Sequence, residues 1–440
     1  YACRRKNAAA SEPAQLCRRR LTVGRPPVEP RPLEHRAPSP RYAFSTTWAP
    51  PTQTKLLQPR APPPRTHRNH NMYANLERWP ATPSEGDNER AERAPRIVLM
   101  GSRRSGKTSM ARVVFGKMSP HETLFVPSTA QPTLRLVANS DLVHFSIFDV
   151  PGDRDLSELR WRDAQMTPRD LFGRCVVLAY VVDAEADPYS ECARLAEVAA
   201  AAKAANPRVQ LEVFVHKVDG DHFLSEEQKL DCRREVEACA RAELAELYAH
   251  GSDENVDPQQ AQAYADDCLA GAAFSLTSIY DHSVFEAFSK LVSRALVPQR
   301  IVLRKMLDAL VTACDMEKSF LFDVASKVYV ATDSAPVDSA SYELCADAID
   351  VVLDVASIYA PDKTTPQEPS EGEEPTREEE PKPTRSNAAS IQLSNGMALV
   401  LDEVDRNLAL VCLLRTENLE KRDLIDYNLG CFRTALARLA

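Results

Sequence analysis

The sequence predicts an α/β domain on a mostly parallel six-stranded sheet, followed by a smaller α+β domain with an antiparallel sheet. Three observations carry this. Strand and helix patterns alternate from residue 96 to about 297, which specifies parallel strands with helices on both faces. The pattern then changes to helix, two short strands, helix, hairpin and helix. The length suffices, because 440 residues, 44% hydrophobic and 27% charged, hold two or three cores.

Taken in order, residues 1–94 come first. They are rich in Pro and Arg, as in GRPPVEPRPLEHRAPSP, and have no apolar periodicity. A segment that cannot bury a core is expected to be a disordered Arg/Pro-rich tail. The chain opens on Tyr1 rather than Met, so its start is expected to be incomplete or misplaced. The domain 95–297 begins at RIVLM (96–100), a short β-rich run. Further strands are predicted over 142–150, 175–183, 209–217 and 273–278, with helices over 108–117, 190–205, 225–249 and 282–296. The stretch 250–271 breaks the alternation and reads as a surface insertion.

From 298 to 440 the periodicity is that of the second domain. A helix over 301–313 leads to strands over 319–324 and 327–332, then a helix over 342–360. Residues 361–386 are dense in Pro and Glu and are expected to form a disordered acidic loop. Asn395-Gly396 between alternating runs signals a type I′ hairpin, and 419–439 reads as a closing helix.

Composition excludes several classes. The longest apolar runs, CVVLAYVV (175–182) and LALVCLL (408–414), are under half of the ~20 residues a membrane span needs, so no direct membrane insertion is expected. Eleven cysteines, an odd total with no C-x-x-C pair, argue against a disulfide framework or zinc site and for reduced thiols in the cytoplasm. The formal net charge is −9 but unevenly spread, with a basic N-terminal tail for which a nucleic-acid or Pro-motif ligand is the alternative to a solvated tail; no nucleic-acid partner is expected.

The chemistry lies in four short segments. GSRRSGKT (101–108) fits G-x-x-x-x-G-K-[ST] between a strand and a helix. Glycines let the backbone wrap so that its N–H groups face phosphates, and the helix N-terminus adds partial positive charge. Candidate nucleotide contacts here are Arg104, Ser105, Gly106, Lys107, Thr108 and Ser109. Lys107 suits the β- and γ-phosphates and the Thr108 hydroxyl suits Mg²⁺. In DVPG (149–152), which gains its meaning from the P-loop about 45 residues ahead, Asp149 is placed to hold Mg²⁺ through water and Gly152 to meet a γ-phosphate. HKVD (216–219) ends a later strand. Asp219 can accept two hydrogen bonds from guanine that adenine does not offer, while the Lys217 stem lies over the base. His216 stands where Asn is usual and can brace the phosphate loop through a ring N–H. Ser278 and Ile279, after the last strand, are placed to reach the base through their backbone. Between these segments, 119–132 holds the first switch, with Thr129 as candidate third metal ligand beside Thr108 and Asp149, and Thr123 nearby.

GSRRSGKTS, VVFGKMSPHETLF, FDVPG, HKVDG, LTSIYDHSVFEAFSK, EKSFLFDVASKVYVATDSAPVD and SYELCADAIDVVLDV together resemble the Rag family of GTPases, C/D type. The resemblance runs from about 95 to 360 and resumes near 389. It implies an α/β P-loop GTPase domain followed by an α+β roadblock-type dimerisation domain, with GTP or GDP and Mg²⁺ as cofactors. It further implies a heterodimer with an A/B-type Rag GTPase through the C-terminal domain. That pair docks on a lysosomal scaffold complex and signals amino-acid sufficiency to the TOR kinase complex. The implied location is cytoplasmic and at the lysosomal surface, with the nucleus as a second place.

One letter departs from the family pattern. Asp153 follows Gly152 where the family has Gln, the residue that orients the attacking water. No catalytic residue is therefore assigned. A carboxylate beside a γ-phosphate repels it, so slow hydrolysis or weakened GTP binding is expected. The alternatives are a switching GTPase and a hydrolysis-impaired scaffold subunit. An ATP-using enzyme is disfavoured by the guanine-selecting pair Lys217 and Asp219.

Overall fold

The computed structural model describes residues 85–220, 222–251, 257–359, 388–405 and 407–439. The elements run α1 (Glu85–Arg93), β1 (Arg96–Gly101), α2 (Lys107–Val114), β2 (Thr133–Ala138), β3 (His144–Asp149), β4 (Arg160–Trp161), β5 (Ala164–Gln165), α3 (Pro168–Phe172), β6 (Cys175–Asp183), α4 (Pro188–Ala205), β7 (Gln210–His216), α5 (Glu226–His250), α6 (Pro258–Cys268), β8 (Ala273–Thr277) and α7 (Ser283–Ala295). Beyond these come α8 (Arg300–Cys314), β9 (Met316–Asp323), β10 (Val328–Thr332), α9 (Ser339–Tyr359), β11 (Ala388–Gln392), β12 (Met397–Asp405), β13 (Leu408–Arg415) and α10 (Arg422–Leu436).

The first sheet has the order β2-β3-β1-β6-β7-β8. Only β2 is antiparallel to its neighbour. Its central strands are buried on both faces, as parallel sheets covered by helices must be. In β1, Ile97 and Leu99 face one core while Val98 and Met100 face the other. The second sheet is antiparallel, ordered β10-β9-β13-β12-β11. α9 covers one of its faces through Tyr342, Cys345 and Ile349, against Phe320, Phe322 and Leu401. Its other face shares a continuous core with the first sheet. Leu291 and Phe288 of α7 join Ile97 and Phe214 to Leu303 and Leu307 of α8, Leu321 of β9 and Phe432 of α10. The two sheets are thereby cemented by one apolar cluster.

The segment 1–94 is not featureless throughout. Residues Glu85–Arg93 form α1, with Ala91 and Ala94 buried. The cause is small apolar residues on one side and Arg90 and Arg93 in the last turn, where cations suit the helix dipole. Residues 1–84 and the acidic loop 361–386 lie outside the described residues. The stretch 250–271, read as a surface insertion, also gains structure. Asp257 caps α6, whose Ala261, Ala265 and Cys268 are buried, and Tyr264 stacks on Tyr248 of α5 at 4.6 Å. The expected hairpin at Asn395-Gly396 forms, but not with the expected type I′ turn: Gly396 alone takes a left-handed φ, of 80°, while Asn395 stays at negative φ, where a non-glycine residue meets no Cβ strain.

Candidate functional site

The site lies at the carboxyl ends of β1, β3, β7 and β8, where open α/β sheets leave a crevice. Gly106 caps α2 with φ 98°, in the left-handed region. A Cβ there would stand 2.5 Å from the His216 ring, so Gly is required twice over, by φ and by space. Gly152 is equally constrained: a Cβ would come within 2.5 Å of the Arg103 nitrogen. The loop after β3 therefore rests directly on the backbone of the loop after β1.

Inside this loop, Lys107 is buried and donates to the carbonyls of Gly101 (2.8 Å) and Ser102 (2.6 Å). Burial pushes its pKa down to about 8, against the pull of Asp149, Glu191 and Asp153. The Thr108 hydroxyl donates to Asp149 Oδ2 at 2.5 Å and lies 2.7 Å from the Thr129 hydroxyl, which is 3.5 Å from the same carboxylate oxygen. Two hydroxyls and a carboxylate thus converge, a hard oxygen donor set. Asp149 Oδ1 is enclosed and has no hydrogen-bond partner among the described residues. Burial raises the Asp149 pKa, opposed by the Thr108 hydrogen bond and the Lys107 charge. These residues fit a small divalent cation with room for further oxygens.

A cavity of about 460 Å³ opens beside them. Arg104, Gly106, Lys107, Thr108, Ser109 and Gly152 line it, and Thr129 closes one side. Ser105 lies just beneath, fully buried, its hydroxyl without a partner among the described residues. Arg103 and Leu124 also line the cavity. Arg103 was legible as an x position of the G-x-x-x-x-G-K-[ST] motif. Leu124 carried no signal in the sequence.

The other end of the crevice is built by β7 and β8. His216 is 2% exposed and sits under Gly106, its Nδ1 3.1 Å from the Thr277 hydroxyl. Burial pushes its pKa down to about 4, so the ring is neutral at physiological pH. Lys217 takes a left-handed φ of 67° and its Nζ pairs with Asp183 Oδ2 at 2.5 Å. Asp183 ends β6 and is the register partner of His216. It was missed because its pairing depends on strand order. Asp219 is exposed at the strand end.

Three further expected contacts lie around this crevice. Thr123 is buried in a 3-10 turn, and its hydroxyl donates to Pro120 O at 2.6 Å. Of the two switch threonines, only Thr129 joins the oxygen cluster. Ser278 N–H donates to Ser283 Oγ at 2.8 Å. Ile279 also lines a second cavity, with Phe285 and Val324. Asp153 is exposed next to Gly152.

The comparisons with known proteins agree with this geometry. The family model described as the Gtr1/RagA G protein conserved region matches residues 96–349. Ras-related GTP-binding protein C of Homo sapiens is 42% identical over 342 residues, covering 78% of this chain and 76% of that protein. GTP-binding protein gtr2 of Schizosaccharomyces pombe is 40% identical over 341 residues, covering 78% of this chain and 96% of the relative. Ras-related GTP-binding protein D of Mus musculus is 41% identical over 342 residues, with 78% and 67% covered.

Proposed function

The chain belongs to the Gtr1/RagA family of G proteins, on its Rag C/D side, and from that premise we propose that it is a GTP/GDP switch subunit working through the crevice described above. The observation that carries this is the convergence of Thr108, Thr129 and Asp149 beside Lys107 at the mouth of the cavity. Lys107 receives the β- and γ-phosphates there. The phosphate charge replaces the carbonyls it now holds and restores a fully charged ammonium. Thr108 and Thr129, with Asp149, would hold Mg²⁺, which neutralises phosphate charge. Gly152 N–H meets the γ-phosphate, so its loop reports whether that group is present. The neutral His216 ring props Gly106 from below, and Asp219 selects guanine over adenine.

Turnover by this subunit is slow in the same proposal. Asp153 occupies the position of the water-orienting Gln and brings a carboxylate toward the γ-phosphate. The regulatory output then comes from which nucleotide is held. Single-turnover hydrolysis and GTP:GDP affinity ratios, compared with those of Asp153→Gln, test this. A faster variant is expected; equal rates together with equal ratios reject it.

The partner is an A/B-type Rag GTPase, joined through the second sheet as a roadblock-type domain. β11 is an edge strand with one side unpaired among the described residues, and Val351 and Val355 of α9 are about half exposed (54% and 49%). An edge strand beside apolar helix residues is chemistry that suits sheet continuation by a second chain. No described helix is long and apolar enough to cross a membrane. The proposed cytoplasmic protein reaches the lysosomal surface through a scaffold complex, relays amino-acid sufficiency to the TOR kinase complex, and also visits the nucleus.

A further inference from the structure

The two strands leading from the oxygen cluster form a hairpin whose far end is fastened to the second sheet. β2 starts at Thr133, four positions after Thr129, and Thr133 is the direct register partner of Asp149. The pairing continues without a break to Ala138 opposite His144. Six residues per strand make a stiff rod of about 20 Å. Its tip closes on itself, with Asn139 N–H donating to Val143 O at 3.1 Å and Val143 N–H to Ser140 O at 3.2 Å.

At this tip, Asn139 Nδ2 donates to Asp323 Oδ2 at 2.7 Å, and Asn407 Nδ2 donates to Asn139 O at 2.8 Å. Asp323 ends β9 and Asn407 lies in the turn between β12 and β13, so both partners belong to the second sheet. Asp323 is fully buried and held in place. It accepts from Ser326 N (3.1 Å) and from the Ser326 hydroxyl, and it is the register partner of Leu408. Val324 N–H donates to Asn407 O at 2.8 Å, which ties the two sides of the anchor together.

The phosphate-binding helix ends at the same place. Lys117 follows α2 with a left-handed φ of 53°. Its Nζ is enclosed without a hydrogen-bond partner among the described residues, as is Asp323 Oδ1, and Asp323 is the charge that most favours the ammonium. The hairpin tip is therefore bonded to one buried carboxylate, whose charge also reaches the lysine that follows the phosphate-binding helix. A buried charge with several fixed donors has a narrow range of acceptable positions, and so does anything bonded to it.

We infer that Asn139, Asn407 and Asp323 are positioning residues for the nucleotide site: they fix the far end of the β2–β3 hairpin to the second sheet and so hold Thr129 and Asp149 in their closed arrangement around Thr108. The hairpin thereby couples the nucleotide to the sheet assigned above to dimerisation. Because Thr129 belongs to the closed arrangement, releasing the latch weakens triphosphate binding more than diphosphate binding. The inference rests on the proposed guanine-nucleotide site, and the test separates the two.

Affinities for GDP and a non-hydrolysable GTP analogue are measured in Mg²⁺ on the full chain, for the unaltered protein, Thr129→Ala, Asn139→Ala and Asn407→Gly. Gly keeps the left-handed φ of 58° at position 407 while removing the donor. Asn139→Ala and Asn407→Gly are each expected to lower the analogue:GDP affinity ratio by about three- to thirtyfold. Their combination is expected to do little more than either alone, since one latch is broken twice. A shift with Thr129→Ala but none with the two Asn variants overturns the latch and leaves the site standing. An equal loss of both nucleotides in the Asn variants also overturns it, because that is what a merely structural role produces. If the unaltered chain binds neither nucleotide, or Thr129→Ala leaves the ratio unchanged, the site assignment falls and takes the latch with it.

Discussion

Two buried lysines, one beside each sheet, are satisfied in opposite ways. In the second sheet, Lys318 donates to Asp333 Oδ1 at 3.0 Å and to Ala335 O at 2.6 Å. Asp333 in turn accepts from the N–H groups of Ser319 and Ala335, both at 2.8 Å. Both side chains of this set are buried and its bonds close within the chain. At the carboxyl end of the first sheet, Lys107 and Asp149 are equally buried, yet among the described residues the ammonium holds only backbone carbonyls. Asp149 Oδ1 and the hydroxyls of Ser102 and Ser105 have no partner among the described residues. A closed set stabilises the fold, whereas an open set at the mouth of a cavity is completed by something from outside.

The largest expected effect is on the closed set. Asp333→Ala leaves the Lys318 charge buried and unpaired, at a cost of about 3–5 kcal/mol in denaturant unfolding. A loss below about 1 kcal/mol would erase the contrast between the two lysine sets. On the open set the effect shifts from stability to binding. Lys107→Ala is expected to weaken guanine nucleotides at least about tenfold, from a charge-assisted contact of about 1.5–3 kcal/mol, while destabilising the ligand-free fold less than Asp333→Ala does. Unchanged GDP binding would remove the loop from the site.

His216 lies between the extremes, a buried ring with one side-chain partner. Its folded pKa of about 4 lies below the ordinary 6.5, so the unfolded chain binds the proton more readily. Stability is then full above about pH 6.5 and lost as the pH falls toward 4, with about 2 kcal/mol gone between pH 7 and pH 5. Unfolding of His216→Asn at both pH values should show a smaller drop by that amount. An identical drop would place the acid sensitivity elsewhere, for example in the closed carboxylates.

Much of the site was readable before any folding. The phosphate loop, Asp149 with Gly152, and the run from His216 to Asp219 are short segments whose residue types dictate their own conformation. β2 was not read, because TLRLVA mixes half-buried polar and apolar positions and Arg135 blurs the alternation. α6 was hidden by a polar stretch whose small alanines give little periodic signal. The sequence offered Thr129 as the metal ligand with Thr123 as a nearby nucleotide contact. The fold spends Thr123 on Pro120 and brings Thr129 to Thr108.

By itself the sequence determined the two kinds of sheet, the family resemblance and the local shapes of the nucleotide motifs. These follow from side-chain periodicity and from glycine's backbone freedom, which act over a few residues. Only the tertiary structure decided which hydroxyl joins Asp149, which buried charges close on themselves, and that the hairpin tip is anchored in the second sheet. Asn139 meets Asn407 across 268 positions of chain. No local rule specifies such a meeting; it exists because the shared core brings the two sheets together and holds them there.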